Sequence, residues 1–116
     1  KNNITRAQSL PINSIVLDIK SNYNNCWLLT TDNLLIYNYF GVLISKIKND
    51  DFTSMDESDE NIILKKGNLL FYSKKDTSKI IPIKIPDLLI NQFLLTNETL
   101  YIYTNETLQK FQLKTN

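Results

Sequence analysis

Half of the carboxylates in this sequence crowd into eleven residues. The stretch DDFTSMDESDE, residues 50–60, holds six of the twelve Asp and Glu side chains. Closely spaced side-chain oxygens are the raw material of a calcium loop, and Asp56, Glu57, Asp59 and Glu60 would be the donors. The EF-hand spacing and its glycine are missing, so the stretch reads as a solvated loop flanking a short strand. Carboxylates also do acid–base chemistry when two of them sit in different environments. Asp18, Asp32 and Asp87 are scattered over strand and turn positions, and no pairing among them is expected. Asp32 reads as a turn former whose side chain bonds neighbouring main-chain N–H groups. The chain has no histidine, which removes His-ligated zinc, Ser-His-Asp triads and Cys-His dyads together. Cys26 stands alone and cannot close an internal disulfide. No catalytic, cofactor-binding or metal-ligating residue is therefore assigned, and the expectation is a protein that is not an enzyme.

Aromatic and charged residues offer binding chemistry instead. Tyr37, Tyr72 and Tyr103 could stack on sugars or bases. They recur at one repeat position, which points first to packing, with the hydroxyl kept for a hydrogen bond. The triplets beginning at Asn3, Asn97 and Asn105 match glycosylation acceptors, but read as turn residues in a chain with 15 Asn. Lys65-Lys66 and Lys74-Lys75 read as edge charges that discourage strand addition. Thirteen basic against twelve acidic residues give a net charge of +1. That balance gives no reason to expect nucleic acid as a partner. No apolar run reaches the length of a membrane span, and no segment is expected to act as a signal peptide. The first residue is Lys1, so the sequence reads as processed or as a piece of something longer.

The elements that must carry these residues come from a repeat. Residues 25–37 (NCWLLTTDNLLIY), 60–72 (ENIILKKGNLLFY) and 91–103 (NQFLLTNETLYIY) align without gaps. Each is an apolar run, a polar turn and a second apolar run ending in Tyr, which predicts a β-hairpin. Gly67-Asn68 and Asp32-Asn33 are the residues expected at positive φ. Trp27, Ile62 and Phe93 fall in register and read as core. A further strand is predicted after each hairpin, over 42–48, 80–85 and 108–113, and another before it, over 15–20, 52–56 and 88–91. The hairpins are apolar on both faces, so they need cover from both sides. A stack of small four-stranded sheets supplies that cover, as in a β-propeller. An ordinary β-sandwich or barrel is the competing all-β reading.

The phrase LLIYNYFGVLISKIK, residues 34–48, resembles the inner-hairpin and outer-strand phrase of six-bladed propellers of the NHL and TolB-like kind. Its cadence is carried by Tyr37, Gly41 and Ile47. Lys75-Asp76 and Asn105-Glu106 stand where the first copy has Phe40-Gly41. In style the chain is similar to envelope propellers of Bacteroidota. The resemblance implies an all-β protein of three four-stranded antiparallel blades, about half of a six-bladed ring. The blades are expected over 14–49, 50–86 and 87–116, in one partial domain spanning 1–116. Residues 1–13 read as the outer strand of a preceding blade, because SLPINSIVL echoes IKIPDLLIN. The implied function is a non-catalytic scaffold or protein–protein interaction module in a larger assembly, periplasmic or outer-membrane-associated. Its partner would be a protein, or further blades from the same or another chain. The alternative is a ligand-binding or hydrolytic propeller whose site lies partly in an N-terminal half outside this sequence.

Overall fold

The computed structural model describes residues 3–5, 7–73 and 79–113. Lys74, Lys75 and Asp76 lie outside the described residues. Runs rich in Ile, Leu and aromatic residues prefer the pleated surface of a strand, and the described residues contain eleven strands and no helix. The first sheet is β1 (Val16–Ser21), β2 (Asn25–Thr30), β3 (Asn33–Asn38) and β4 (Leu43–Lys48), in that order. The central sheet is β5 (Ser54–Ser58), β6 (Asn61–Lys66), β7 (Leu69–Ser73) and β8 (Ile80–Pro82). The third sheet contains β9 (Gln92–Thr96), β10 (Thr99–Tyr103) and β11 (Leu108–Gln112). Every pairing is antiparallel. The fold is all-β and of propeller type, as expected. The third sheet has three strands among the described residues, where four were predicted.

Residues 88–91 are the stretch that fails as a strand. Residues 83–91 instead cross from β8, at the far edge of the central sheet, to β9. Ile83, Ile85, Leu88 and Ile90 pack into the core on the way. Asn68 fastens this crossing by accepting the Ile90 N–H at 3.0 Å. The predicted strand over 80–85 is cut to three residues for the same reason.

Two-residue turns join the hairpins, and their chemistry differs. Asp59 and Glu60 both have positive φ, 52° and 65°, the geometry that matches the twist of a two-residue hairpin. This turn lies in the acidic stretch that reads as a solvated loop flanking a short strand; the strand, expected over 52–56, is β5, shifted by two residues. Gly67 (φ 58°) and Asn97 (φ 52°) open the other left-handed turns. Asp32 and Asn33 do not adopt positive φ. The Thr30 hydroxyl does the work there, accepting the N–H of Asp32 at 3.2 Å and of Asn33 at 2.9 Å. Between β3 and β4, Asn38 Oδ1 accepts the N–H of Phe40 and of Val42 at 2.9 and 3.0 Å, and Gly41 sits at φ 79°. A Cβ at Gly41 would also strike the Gln8 carboxamide. Gly41→Ala is expected to destabilise the chain by about 1 kcal/mol, chiefly through backbone strain. A urea titration reads this as a lower midpoint at unchanged slope.

The three sheets stack through two cores. Trp27, Leu29 and Leu34 of the first sheet meet Met55, Ile62 and Leu64 of the central sheet. Ile63, Leu70 and Tyr72 leave the other side of the central sheet and meet Leu95, Leu100 and Ile102. The period-2 alternation of strands explains this division, because Ile63 and Leu64 must point to opposite faces. Both are 0% exposed, so β6 has no wet side. Strand β5 lies beside β1 and beside β9. The first strand of each sheet therefore lines a common edge from which the sheets fan out. The third hairpin occupies the first and second strand places, whereas the first two repeats occupy the second and third. Apolar runs around a short turn mark any adjacent strand pair, so the repeat signal does not register the place.

Candidate functional site

The side chains with chemical potential are placed first. Asp18 and Asp56 lie on first strands and point toward the next sheet. Asp18 Oδ2 accepts the Met55 N–H at 2.9 Å, and Asp56 Oδ2 accepts the Leu95 N–H at 2.7 Å. Each carboxylate thus clips its sheet to the main chain of the following one, a bond strengthened by its charge. Asp18 Oδ1 also takes the Ile19 N–H at 2.8 Å and Lys20 Nζ at 3.2 Å. Glu57 Oε2 accepts the Glu60 N–H at 2.9 Å and Asn22 Nδ2 at 3.1 Å, which ties the β1–β2 turn to the β5–β6 turn. Glu60 accepts Asn25 Nδ2 at 3.2 Å in the same tie. Ser58 Oγ carries the series on, accepting the Asn97 N–H at 2.7 Å.

The acidic stretch therefore builds the joint between sheets rather than a loop in water. Asp32 accepts the Ser14 hydroxyl at 2.6 Å, and Asp87 is exposed on the crossing. Among the described residues no three His, Cys, Asp or Glu side chains gather as a metal site would require. The repeating clip was missed in the sequence because it joins a side chain to a main-chain group 37 or 39 positions away.

The three repeat tyrosines do not share one environment. Tyr72 is buried between the central and third sheets, with its hydroxyl donating to Asn61 Oδ1 at 3.0 Å. Burial, and then the nearby Glu98 carboxylate, push its pKa above the ordinary phenol value. Tyr37 is half-buried on the first sheet, and Tyr103 is 45% exposed on the third. Trp27 is core as expected, at 3% exposure. Asn97 is a turn residue, and Asn105 and Asn3 are exposed. Lys65 and Lys66 lie on β6, an inner strand paired on both sides, and not at a sheet edge as expected; Lys66 reaches Asp50 at 3.1 Å and lies 5.2 Å from the centre of the Phe71 ring. Burial raises the pKa of Cys26, which disfavours the reactive thiolate.

What remains open is apolar. Call the face of a sheet toward the next sheet its leading face, and the other its trailing face. Second-strand residues on the trailing faces are Ile62 and Leu64 in the central sheet and Leu100 and Ile102 in the third. All four are buried. Their counterparts in the first sheet are Cys26 and Leu28, with Leu35 and Tyr37 opposite on β3. No sheet covers this trailing face among the described residues. Gln8, Leu10 and Ile12 lie over it, so that Leu28 is buried and Cys26, Leu35 and Tyr37 half-buried; they leave an open hollow of about 280 Å³, with Ile19 58% exposed at its border.

The third sheet is open on its leading face. Leu94, Tyr101, Tyr103 and Leu108 line a hollow of about 270 Å³ there, and Leu94 and Leu108 are 51% and 65% exposed. Tyr101 holds the place that Ile63 holds in the central sheet, the third residue after the first turn in each case. A third hollow, of about 280 Å³, lies beside β11, where Ile81, Pro82 and Ile83 face Gln112 and Leu113. Sheets with one dry and one open apolar face have surfaces of the kind that partners cover.

No protein-family model and no curated protein sequence matches the chain. Solved structures do resemble it. Hsv2 of Kluyveromyces lactis, a β-propeller protein, superposes with a TM-score of 0.67 at 15% identity, over 88% of this chain and 34% of its own. Hsv2 of Kluyveromyces marxianus gives 0.65 at 13%, over 88% and 34%. The extracellular domain of the one component system BT4673 of B. thetaiotaomicron gives 0.57 at 16%, over 83% and 14%. The chain spans about a third of the length of the Hsv2 structures. At such identities the likeness shows the fold, a propeller-type stack of antiparallel sheets.

Proposed function

We propose that the chain is a non-catalytic, propeller-type interaction module whose two open sheet faces are covered by protein within a larger assembly. One observation carries this reading. The open trailing face of the first sheet and the open leading face of the third bear the same kinds of residues that the chain buries at its two internal joints. Aliphatic and aromatic surface of this kind gains about 25 cal/mol per Å² when a partner removes it from water. The near-neutral charge supports a protein partner over nucleic acid. No helix among the described residues is long and apolar enough to cross a membrane. The carboxylates support a structural rather than catalytic role, because Asp18, Asp56, Glu57 and Glu60 are engaged in joints. An extracellular domain among the structural neighbours is in keeping with a cell-envelope setting.

The test is binding of a hydrophobic fluorescent dye to the folded chain, compared with Leu94→Glu and Ile19→Glu variants. The module reading predicts dye binding, reduced by each variant, unless the chain is self-associated and the faces are already covered. A folded monomer that binds no dye would refute it.

A further inference from the structure

One row of cross-strand neighbours holds the clip in each of the first two sheets. In the first sheet the row is Asp18, Leu29, Leu34 and Ile47. In the central sheet it is Asp56, Ile63, Tyr72 and Ile81. Each row begins with a carboxylate that accepts a main-chain N–H from the first strand of the next sheet. The residues after the carboxylate are aliphatic or aromatic. The same row of the third sheet is Leu94, Tyr101 and Lys110. Leu94 stands where Asp18 and Asp56 stand, at even spacing along the chain. The acceptor is gone from the first strand, and a cation stands on the third.

That exchange changes what the face can hold. A leucine side chain accepts no hydrogen bond, and an ammonium group only donates. A further sheet docked as the internal ones are would bring a first-strand N–H to this row and find no acceptor. Leaving such a group dry costs more than a typical hydrogen bond gains. The row offers positive charge instead. Lys110 is exposed, and among the described residues it makes no hydrogen bond or ion pair. The strand residues that share its face include no Asp or Glu. Glu98 and Glu106 lie in the turns at the two ends of the sheet. Beside this row is the apolar hollow of about 270 Å³ lined by Leu94, Tyr101, Tyr103 and Leu108. It falls short of the roughly 300–1,000 Å³ of small-molecule pockets, and suits a side chain presented by a protein better than a free ligand.

We propose that the leading face of the third sheet docks an acidic, apolar segment of a partner protein. A carboxylate of the partner pairs with Lys110, and a neighbouring aliphatic or aromatic side chain fills the hollow against Leu94 and Leu108. This rests on the interaction-module reading and gives one of its two faces a specificity. A partner with Lys or Arg at that place meets a like charge, so Lys110 selects by repulsion as well as by attraction. Lysine also guards edge strands such as β11, because charge there discourages strand addition. A carboxylate guards equally well, so guarding does not set the sign of the charge, and reversing it separates the two roles.

The experiment is NMR titration of the chain with capped tetrapeptides that alternate Phe with Glu, Gln or Lys. The Phe–Glu peptide should move the signals of Leu94, Tyr101 and Lys110 saturably and bind about fivefold tighter than the Phe–Gln peptide at low salt, with the Phe–Lys peptide weakest. Lys110→Glu keeps a charge on β11 and should invert that order. Leu94→Asp rebuilds the carboxylate of the other two rows and should remove the preference for Glu over Gln. Equal binding of the Glu and Gln peptides, or an order unchanged in Lys110→Glu, would overturn the inference. Saturation by inorganic phosphate as tight as by the Phe–Glu peptide would overturn it too, as a site for any small anion. A shift of the same signals on dilution alone would make a second copy the occupant and overturn it. A chain that binds the dye while no peptide moves these signals would overturn it and leave the module reading standing. A monomer silent to dye and peptides would overturn both.

Discussion

Ile63→Ala is expected to cost the chain about 3–4 kcal/mol of unfolding free energy, a large share of the roughly 5–15 kcal/mol a domain holds in reserve. Ile63 is 0% exposed, on the leading face of the central sheet. It packs with Leu70, Tyr72 and Leu95 in the core shared with the third sheet. Removing three carbons there forfeits their transfer energy and leaves a cavity that two hydrogen-bonded sheets cannot collapse to fill. Leu94, on the open face of the third sheet, provides the contrast. It is 51% exposed, and Leu94→Ala should change the stability of the isolated chain by less than about 1 kcal/mol. Urea titrations of the two variants measure the difference. Equal losses would mean that the central sheet is not uniquely covered on both faces.

Asn49→Ala should be nearly as damaging, at about 2–3 kcal/mol. Asn49 is a buried polar residue, 9% exposed, on the crossing between the first two sheets. Its amide nitrogen donates to the carbonyl oxygens of Thr30 at 2.7 Å and Phe52 at 3.0 Å, and its oxygen accepts the Phe52 N–H at 2.7 Å. Alanine would leave those three main-chain groups without their partner in a dry joint. It would also release Phe52, which is 4% exposed and stacks edge-on against Phe71 at 5.1 Å. Asn49→Asp keeps the acceptor and loses both donated bonds, so it should not rescue the loss. Thermal unfolding of the two variants checks this.

The parts of the fold legible in the sequence were those set by local pattern. Apolar runs around short turns marked the hairpins, and two-sided greasiness marked the need for a stack. In the acidic stretch the strand was expected over 52–56 and found at 54–58, but the tight turn after it was missed because composition hid the geometry. Asp59 and Glu60 make a left-handed turn that is usually given to Asn or Gly, and Met55 is the only large apolar residue in β5. The crossing at 83–91 was misread for the opposite reason, since its Ile and Leu residues look like a strand yet bond to neighbouring strands only at the two ends, through the Ile83 and Asn91 N–H groups. The place of the third hairpin was hidden because Tyr72 and Tyr103 share a repeat position but not a strand place. The clipping role of Asp18 and Asp56, the second of which was weighed only as a calcium donor, was missed because their partners are main-chain N–H groups, which carry no sequence signal.

Carbene footprinting of the isolated chain at low concentration tests most directly whether the end sheets present uncovered core faces. If they do, Leu94, Tyr101, Tyr103 and Ile19 label strongly, and Ile63 and Ile102 stay unlabelled. Protection of Leu94, Tyr101 and Ile19 equal to that of Ile63 at every dilution, in a chain shown to be monomeric, would contradict it.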